Sequence, residues 1–262
     1  MSRVALAPLA LVLLAPAVAR ADTIDPPLHV DPSVKDCSVR FAPNLTQDAF
    51  HRFAREFGSV SAFKQASAPT PLGQWRFAVG IQGIAFTVEE HSAAWNDTFV
   101  HPNDHHPLGA EKTFPELRLR AGVSDDLDFG AYYTLNAEAN YGWLGLEAKY
   151  RVLDERDGLP VTVAVRGAYT KTLYVADMNM HAVTLDVSAG RTFWKVLTPY
   201  LGVGADGVFV RETSSAVSLK DEAILVPHLA AGAEVRWWHV SVGAEVQVGA
   251  LTAYQVQLAA LF

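Results

Sequence analysis

From Trp75 to the end of the chain, apolar and polar side chains alternate with a period of two. The alternation breaks at turn residues, which divides it into ten runs. Their approximate spans are 75–89, 113–123, 127–139, 141–152, 160–172, 181–193, 198–211, 223–237, 239–249 and 252–262. We therefore predict ten β-strands, with eight or twelve as alternatives.

The run "HVSVGAEVQVG" places Val240, Val242 and Val246 on one face and Ser241 and Glu245 on the other. A soluble sandwich would produce the same alternation. Strands of about ten residues tilted near 45° span a bilayer, however, and closing the sheet removes backbone edges that lipid cannot satisfy. We therefore predict an all-β fold in which residues 74–262 form a transmembrane antiparallel up-and-down β-barrel.

The connections alternate between compact and long ones, as in outer-membrane barrels. Compact connections at 124–128, 154–160, 194–199 and 237–239 are expected at the periplasmic side, together with Phe262. Longer ones at 90–112, 173–180 and 212–222 are expected to face outward. Aromatic residues cluster near both predicted boundaries, as in interfacial girdles, with Phe86, Tyr141 and Trp143 among those expected on the outer side. The predicted location is the cell outer membrane, with the C-terminus on the periplasmic side.

The chain ends "TAYQVQLAALF", with Tyr254 eight positions before a terminal Phe262. This ending resembles the C-terminal signature of bacterial outer-membrane β-barrel proteins, and the strand pattern extends the resemblance over 75–262. The resemblance implies recognition by the barrel-assembly machinery through Tyr254 and Phe262. With its helical stretch before the first strand, the layout also resembles an uncharacterised family of small proteobacterial outer-membrane barrels, which implies no functional residues.

Residues 1–21 have the features of a secretory signal peptide, with an apolar run followed by Ala19-Arg20-Ala21. Removing Arg3 and Arg20 from the 21 basic residues leaves 19 against 28 acidic ones, a formal charge of −9 that argues against nucleic acid as a partner. The single cysteine, Cys37, excludes an internal disulfide and is expected to be an inert thiol.

Residues 22–73 lack alternation, are rich in proline and are predicted to form a periplasmic segment. Within them, "LTQDAFHRFAREFG" predicts one short amphipathic helix, with Thr46 as N-cap and Gly58 as its stop. The expected role of this helix is a strut on the periplasmic mouth of the barrel. A plug inside the lumen and an interfacial contact with lipid or protein are the alternatives.

Assigning the polar strand faces inward collects a nearly balanced set of charges, which favours pairing across a narrow interior over a selective pore. We therefore expect a largely occluded lumen, with a narrow passage for small solutes as the alternative. The candidate luminal network comprises Arg76, Glu116, Arg118, Arg120, Asp128, Glu138, Glu147, Lys149, Arg151, Arg166, Asp186, Asp206, Glu234, Arg236 and Glu245.

The first long connection is rich in residues that could bind metal or move protons. They are His91, Asp97, His101, Asp104, His105, His106 and Glu111. Their spacing matches no metal motif, so a solvated loop is expected, with no cofactor. Omptin proteases use Asp and His at the outer rim of ten-stranded barrels. A rim enzyme using Asp97 or His101, with His181 and Asp177 nearby, is therefore the alternative function.

Taken together, the sequence predicts a non-enzymatic outer-membrane barrel with a structural or interaction role, or one that passes small solutes. The expected partners are outer-membrane lipid and the barrel-assembly machinery. A small solute is a further possible partner, and the pattern identifies no protein partner.

Overall fold

A computed structural model describes residues 28–62, 64–105 and 113–262. In chain order the elements are β1 (Ser38–Val39), α1 (Gln47–Ser61), β2 (Phe77–Phe86), α2 (Ala93–Asn96), β3 (Phe99–Val100), β4 (Thr113–Gly122), β5 (Leu127–Leu135), β6 (Gly142–Leu153), β7 (Thr162–Leu173), β8 (Met178–Gly190), β9 (Leu197–Glu212), β10 (Glu222–Trp237), β11 (Val240–Val248) and β12 (Thr252–Leu261). A 3₁₀ turn, Glu155–Asp157, follows β6. The predicted signal peptide lies outside the described residues.

Ten of the described strands, all except β1 and β3, pair antiparallel into one closed barrel. The last strand returns to the first: β12 pairs with β2 in a register that sets Gln257 opposite Gln82. Closure leaves no unpaired strand edge, which a bilayer requires. The predicted ten-stranded antiparallel barrel is confirmed. The short strands β1 and β3, which pair only with each other, were not predicted.

The outward face of the barrel is apolar. Large aliphatic side chains on it are exposed, and the exposed fraction reaches 61% in Leu185, 68% in Leu201 and 73% in Leu225. The inward positions between them carry the polar and charged residues. A soluble protein rarely leaves such a continuous apolar surface in water, whereas lipid covers it without penalty. The barrel therefore spans a membrane.

The two ends of the barrel differ. One end, here called the short-turn mouth, holds residues 123–126, 154–161, 191–196 and 238–239 together with Phe262. The other, the loop mouth, holds residues 136–141, 174–177, 213–221 and 249–251 and the connection between β2 and β4, of which 106–112 lie outside the described residues. The connection expected at 173–180 is shorter than predicted, because β8 begins at Met178.

Helix α1 begins at the loop mouth. Thr46 is its N-cap, as predicted, and its hydroxyl accepts a hydrogen bond from the Ala49 backbone N–H at 3.3 Å. The side chain of Gln47 bonds to the backbone of Lys220 in the β9–β10 connection. The predicted stop at Gly58 is wrong, because the helix continues to Ser61.

After α1 the chain descends through the barrel to the start of β2. The carbonyl of Ser61 accepts from Tyr132 Oη at 2.7 Å, and the Ala68 N–H donates to Glu234 at 2.9 Å. At the short-turn mouth the Trp75 N–H donates to the carbonyl of Gly122 at 2.9 Å. Residues 47–62 and 64–73, which we call the thread, therefore pass through the lumen. The expected strut on the periplasmic mouth is wrong, and the plug alternative describes the placement.

Residues 28–45, α2 and β3 fold together over the loop mouth, and we call this unit the cap. Asn140 binds both backbone groups of Val39, at 2.8 and 2.7 Å. Asp177 accepts from the Phe41 N–H at 2.7 Å. The first described residues and Phe262 thus lie at opposite mouths of the barrel.

An aromatic core joins the cap to the upper half of the thread. Phe57 of α1 packs on Trp95 and Trp143, with ring centroids 6.2 and 5.8 Å away. Trp143, Tyr141 and Phe86, expected in the outer aromatic girdle, are buried in this core instead. They follow the inward face of their strands because α1 offers them an apolar partner there. No helix among the described residues is long and apolar enough to cross a bilayer.

Candidate functional site

The candidate site is the lumen, where charged wall residues meet the thread. Alternation along each strand carries these side chains inward, and the closed sheet excludes them from lipid. Twelve of the predicted network residues are buried. They are Glu116, Arg118, Arg120, Asp128, Glu147, Lys149, Arg151, Arg166, Asp186, Asp206, Glu234 and Glu245.

Three predicted network residues differ from this pattern. Arg236 is half-buried and lies at the short-turn mouth. Arg76 precedes β2 and is exposed, because the barrel wall begins only at Phe77. Glu138 is exposed in the β5–β6 connection, because β5 ends at Leu135. For Arg76 and Glu138 the luminal assignment is therefore wrong.

A chain of ion pairs crosses the middle of the lumen. Arg118 and Arg166 both approach Glu147, at 3.6 and 3.3 Å, and Arg166 Nε donates to Asp186 at 2.7 Å. His228 Nε2 lies 2.7 Å from the other oxygen of Asp186. Buried charges are tolerated when they are paired and hydrogen-bonded in this way.

The chain of charges continues onto the thread. His228 Nδ1 lies 3.4 Å from Asp206, and Lys64 Nζ lies 3.8 Å from the same carboxylate. Lys64 is 3% exposed. The predicted wall set, without Arg76 and Glu138, has six basic and seven acidic members, so Lys64 of the thread supplies the seventh basic residue.

Wall charges also hold the backbone of the thread. Arg118 donates to the carbonyl of Gln65 at 2.8 Å, and Lys149 donates to the carbonyl of Ala68 at 2.8 Å. Near the short-turn mouth, Arg236 donates to the carbonyls of Thr70 and Pro71 at 2.8 and 3.0 Å. An extended segment without sheet partners needs such donors, because buried carbonyls are rarely left unpaired.

Acidic wall residues satisfy the opposite backbone groups. Asp128 accepts from the Leu72 N–H at 3.1 Å and pairs with Arg120 at 2.7 Å. Glu234 accepts from the Ala68 N–H and also from Ser241 Oγ at 2.6 Å. Much of the balanced charge therefore binds the thread rather than closing an empty lumen.

Two glycines let the thread approach the wall. A Cβ on Gly243 would lie 2.2 Å from the carbonyl oxygen of Ala66, and a Cβ on Gly122 would lie 1.9 Å from that of Gly73. Both neighbours are backbone atoms that cannot rotate away. Glycine at these positions is required for the close approach of a second backbone.

Little free space remains beside the thread. An internal cavity next to Gln65, Ser188 and His228 has room for about one water molecule. Below the thread, an open cavity of about 730 Å³ lies at the short-turn mouth and is lined by Thr70, Pro71 and the charged residues of the turns. The thread separates this cavity from the loop mouth.

The histidine-rich connection serves the cap. His101 is buried, with Nδ1 3.2 Å from Cys37 Sγ, and Asp97 accepts from Asn44 Nδ2 at 3.1 Å. Among the described residues, no group of three or more His, Cys, Asp or Glu could hold a metal ion. His105 is exposed and His91 lies 3.6 Å from Glu90. His106 and Glu111 lie outside the described residues.

His181 and Asp177, which were expected near the rim residues Asp97 and His101, bind other partners. His181 faces outward from β8, where its ring bonds to the hydroxyl of Tyr169. Asp177 binds the backbone of Phe41 instead. Asp97 and His101 therefore support the fold of the cap. The close Asp–His contact of the predicted set in the described part of the rim is His105 Nε2 to Asp104, at 3.6 Å, between two exposed sequence neighbours.

Sequence reasoning missed the thread's own contributions, Lys64 and Gln65, and the neutral residues that complete the network. Gln82, Gln255 and Gln257 are buried on the inward faces of β2 and β12, and Gln82 donates to Gln255 at 3.0 Å. One available signal was the surplus of one acidic residue in the predicted lumen. Another was the pair of inward-facing glycines, Gly122 and Gly243.

Comparison with solved structures gives alignments of low sequence identity. The chain aligns with the KdgM porin at 9% identity, covering 70% of this chain and 98% of that one with a TM-score of 0.35. It aligns with the outer membrane protein Ail of Yersinia pestis at 12% identity, covering 72% and 100% with a TM-score of 0.32. It aligns with the outer membrane protein Omp33 of Acinetobacter baumannii at 7% identity, covering 73% of this chain and 100% of that one with a TM-score of 0.33.

The chain also aligns with 56% of a bacterial polysaccharide outer membrane secretin, at 10% identity and a TM-score of 0.36. No protein-family model and no curated protein sequence matches the chain. The closed ten-stranded barrel with an apolar outer face is the architecture of outer-membrane β-barrel proteins.

Proposed function

We propose that this outer-membrane β-barrel is a non-conducting, non-enzymatic protein that carries its N-terminal segment through the membrane and presents a folded cap at the cell surface. Its role is structural or in surface interactions. In this orientation the loop mouth faces outward, and Phe262 lies on the periplasmic side, where Tyr254 and Phe262 are read by the barrel-assembly machinery.

The placement of the thread supports this proposal. Residues 47–62 and 64–73 lie in the lumen between the two mouths, and wall charges bind the backbone of the second part. A solute would have to displace both the aromatic core around Phe57 and the ion pairs of Lys64 and Arg118. A closed barrel of about ten strands has too little interior to hold the thread and an aqueous path side by side.

The cap supports an interaction role. Its backbone is fixed to the barrel by Asn140 and Asp177, and Asp36 accepts from Asn136 Nδ2 at 2.7 Å. A surface that is already ordered loses little conformational entropy when it binds a partner. The alternative use of this rim as an omptin-type active site would need Asp97 or His101 to be accessible, and both are buried.

The test is single-channel conductance in planar bilayers, comparing the mature chain with a variant that lacks residues 22–70. We expect no conductance steps from the mature chain and steps from the truncated chain, whose folding is verified by its heat-dependent migration in SDS gels. Steps from the full mature chain would overturn the proposal. An Asp97→Ala variant that abolished a proteolytic activity would favour the rim enzyme.

A further inference from the structure

Two exposed cations lie on the outward face of the barrel near the loop mouth. Lys171 is two residues before the end of β7, and Arg211 is one residue before the end of β9. Their strand parity matches that of the lipid-facing residues Tyr169 and Phe209, which are 42% and 50% exposed. Neither cation therefore points into the lumen.

The strand register brings these residues together across β8. Lys171 lies directly opposite His181, and Arg211 lies directly opposite Asn179. Because His181 and Asn179 are two residues apart on the same face, Lys171 and Arg211 flank them from either side. The His181 ring is held by the Tyr169 hydroxyl, with ring centroids 5.7 Å apart.

The apolar belt places this cluster at the depth of lipid headgroups. Two residues closer to the middle of the barrel on each strand, Tyr169 lies opposite Val183, and Val183 lies opposite Gly207. Val183 is 49% exposed. Leu185 and Leu201 continue the apolar surface below them. Basic side chains just above an apolar belt, together with a tyrosine, are typical of the membrane interface.

The two cations lack acidic partners. Among the residues that the structure describes, neither Lys171 nor Arg211 has a carboxylate within ion-pair distance. Asp221, just before β10, is exposed. Although both residues are described by the structure, Asp221 and Arg211 form no ion pair. In the lumen, by contrast, Arg118, Arg120 and Arg166 each have a carboxylate partner. An unpaired, outward-facing cation at headgroup depth is suited to bind an anion supplied by the membrane.

We propose that Lys171, His181, Asn179 and Arg211 form a binding site for the phosphate group of a lipid in the leaflet at the loop mouth. Lysine and arginine supply charge-assisted hydrogen bonds to the phosphate oxygens, and Asn179 supplies a neutral donor. Tyr169 and Phe209 contact the lipid below the phosphate. In the proposed orientation, that leaflet contains phosphorylated lipid A. The site depends on the barrel spanning a membrane and is independent of whether the lumen is closed.

The test uses the full mature chain in neutral-detergent micelles, titrated with bisphosphorylated lipid A. Each surface cation contributes about a fivefold factor to binding an anionic lipid surface, so a Lys171→Gln/Arg211→Gln variant is expected to bind about 25-fold more weakly. The matched control is Arg191→Gln/Lys195→Gln, which removes two exposed cations at the short-turn mouth and is expected to bind like the unmodified chain. Heat-dependent gel migration verifies folding, and a Lys171→Arg/Arg211→Lys variant that keeps the charge is expected to retain binding.

Equal weakening in the two charge-removal variants, or none in either, would overturn the site. Dephosphorylated lipid A should bind no better to the unmodified chain than to the Lys171→Gln/Arg211→Gln variant; a persistent difference would show that phosphate is not the ligand. Competition by inorganic phosphate separates a lipid site from a free-anion site. We expect little displacement of lipid A, and displacement as effective as that by unlabelled lipid A would overturn the lipid assignment.

Discussion

Gly58 of α1 lies so close to Val208 of β9 that a Cβ at position 58 would come within 2.3 Å of Val208 Cγ1. Val208 is completely buried, and its branched side chain has few alternative rotamers. The missing side chain at position 58 therefore allows the helix to dock on the barrel wall. This contact explains why a glycine expected to stop the helix lies inside it.

Gly58→Ala should destabilise the folded barrel, because the new methyl group has no space against Val208. Overpacking of this kind costs about 1–3 kcal/mol. The better helix propensity of alanine gains about 1 kcal/mol, which is less than the overpacking cost over most of that range. The measurement is the free energy of unfolding in urea, followed by gel migration. The double variant Gly58→Ala/Val208→Ala should be more stable than the sum of the two single effects predicts.

Gly167→Ala is the matched control, because a Cβ at this position of β7 has no neighbour within 4 Å. Its stability should match that of the unmodified barrel. If Gly58→Ala and Gly167→Ala have the same effect, α1 is not docked on Val208.

Arg118→Leu should destabilise the barrel by about 3–5 kcal/mol, because it leaves buried acceptors without their donor and removes one of the two arginines that approach Glu147. Arg118 donates to Gln257 at 3.0 Å and to the Gln65 carbonyl, so the variant also loosens the thread. Urea unfolding measures the loss. Arg76→Leu removes an exposed arginine and should change little. Equal stability of the two variants would argue against the luminal network.

Cys37 should be unreactive in the folded protein. Its side chain is completely buried in the cap, against His101. We expect no modification by a maleimide in native conditions and complete modification in denaturant, as measured by intact mass. Stoichiometric reaction of the folded chain would contradict the placement of the cap.

Surface labelling tests the orientation. Arg40 is exposed in the cap, and Lys195 is exposed at the short-turn mouth. A membrane-impermeant maleimide should label Arg40→Cys on intact cells and label Lys195→Cys only after lysis, while buried Cys37 gives no background. The reverse pattern would show that the loop mouth faces the periplasm.

Asp154 should make the short-turn mouth sensitive to acid. Partial burial raises the pKa of Asp154. The hydrogen bonds from Arg156 and the charges of Arg151 and Arg156 lower the pKa by more than burial raises it, so the net shift is downward. A lowered pKa means that the stabilisation is present above the ordinary pKa of an aspartate and is lost as the pH falls through the folded value.

Asp154→Asn should therefore lower stability at neutral pH and flatten its dependence on pH below about 4. Urea unfolding across this range provides the measurement. Asp157→Asn, in the same exposed turn, is the control. A variant at position 154 with the unmodified pH profile would exclude this role.

The sequence was sufficient to predict the barrel, because side-chain alternation reports directly which face of a strand meets lipid. The same alternation placed Arg118, Glu147 and Asp186 inward, where they are buried. Tyr141 and Trp143 show the limit of this reasoning. Periodicity shows which residues share a face of a strand. It does not show whether an apolar face points to lipid or into the lumen, and at the loop mouth that depends on what fills the lumen.

The thread could not be deduced from periodicity. Residues 64–73 form no regular element, and their bonds go to side chains on strands far away in the chain, such as Arg118 and Glu234. A helix with an apolar face formed by Phe50, Phe53 and Phe57 packs equally well on several surfaces. Only the position of its partners, Trp95 and Trp143, places it inside the barrel.

The path of the thread constrains the order of events during biogenesis. The sheet is a ring closed where β12 meets β2, and the thread passes through it. If the ring closed first, the whole chain before Lys64, including the residues of the cap, would have to be drawn end first through a passage lined with charges. If the strands assemble around a thread that is already in position, no such passage is needed. In that order of events, the pairing of β12 with β2 is the last to form.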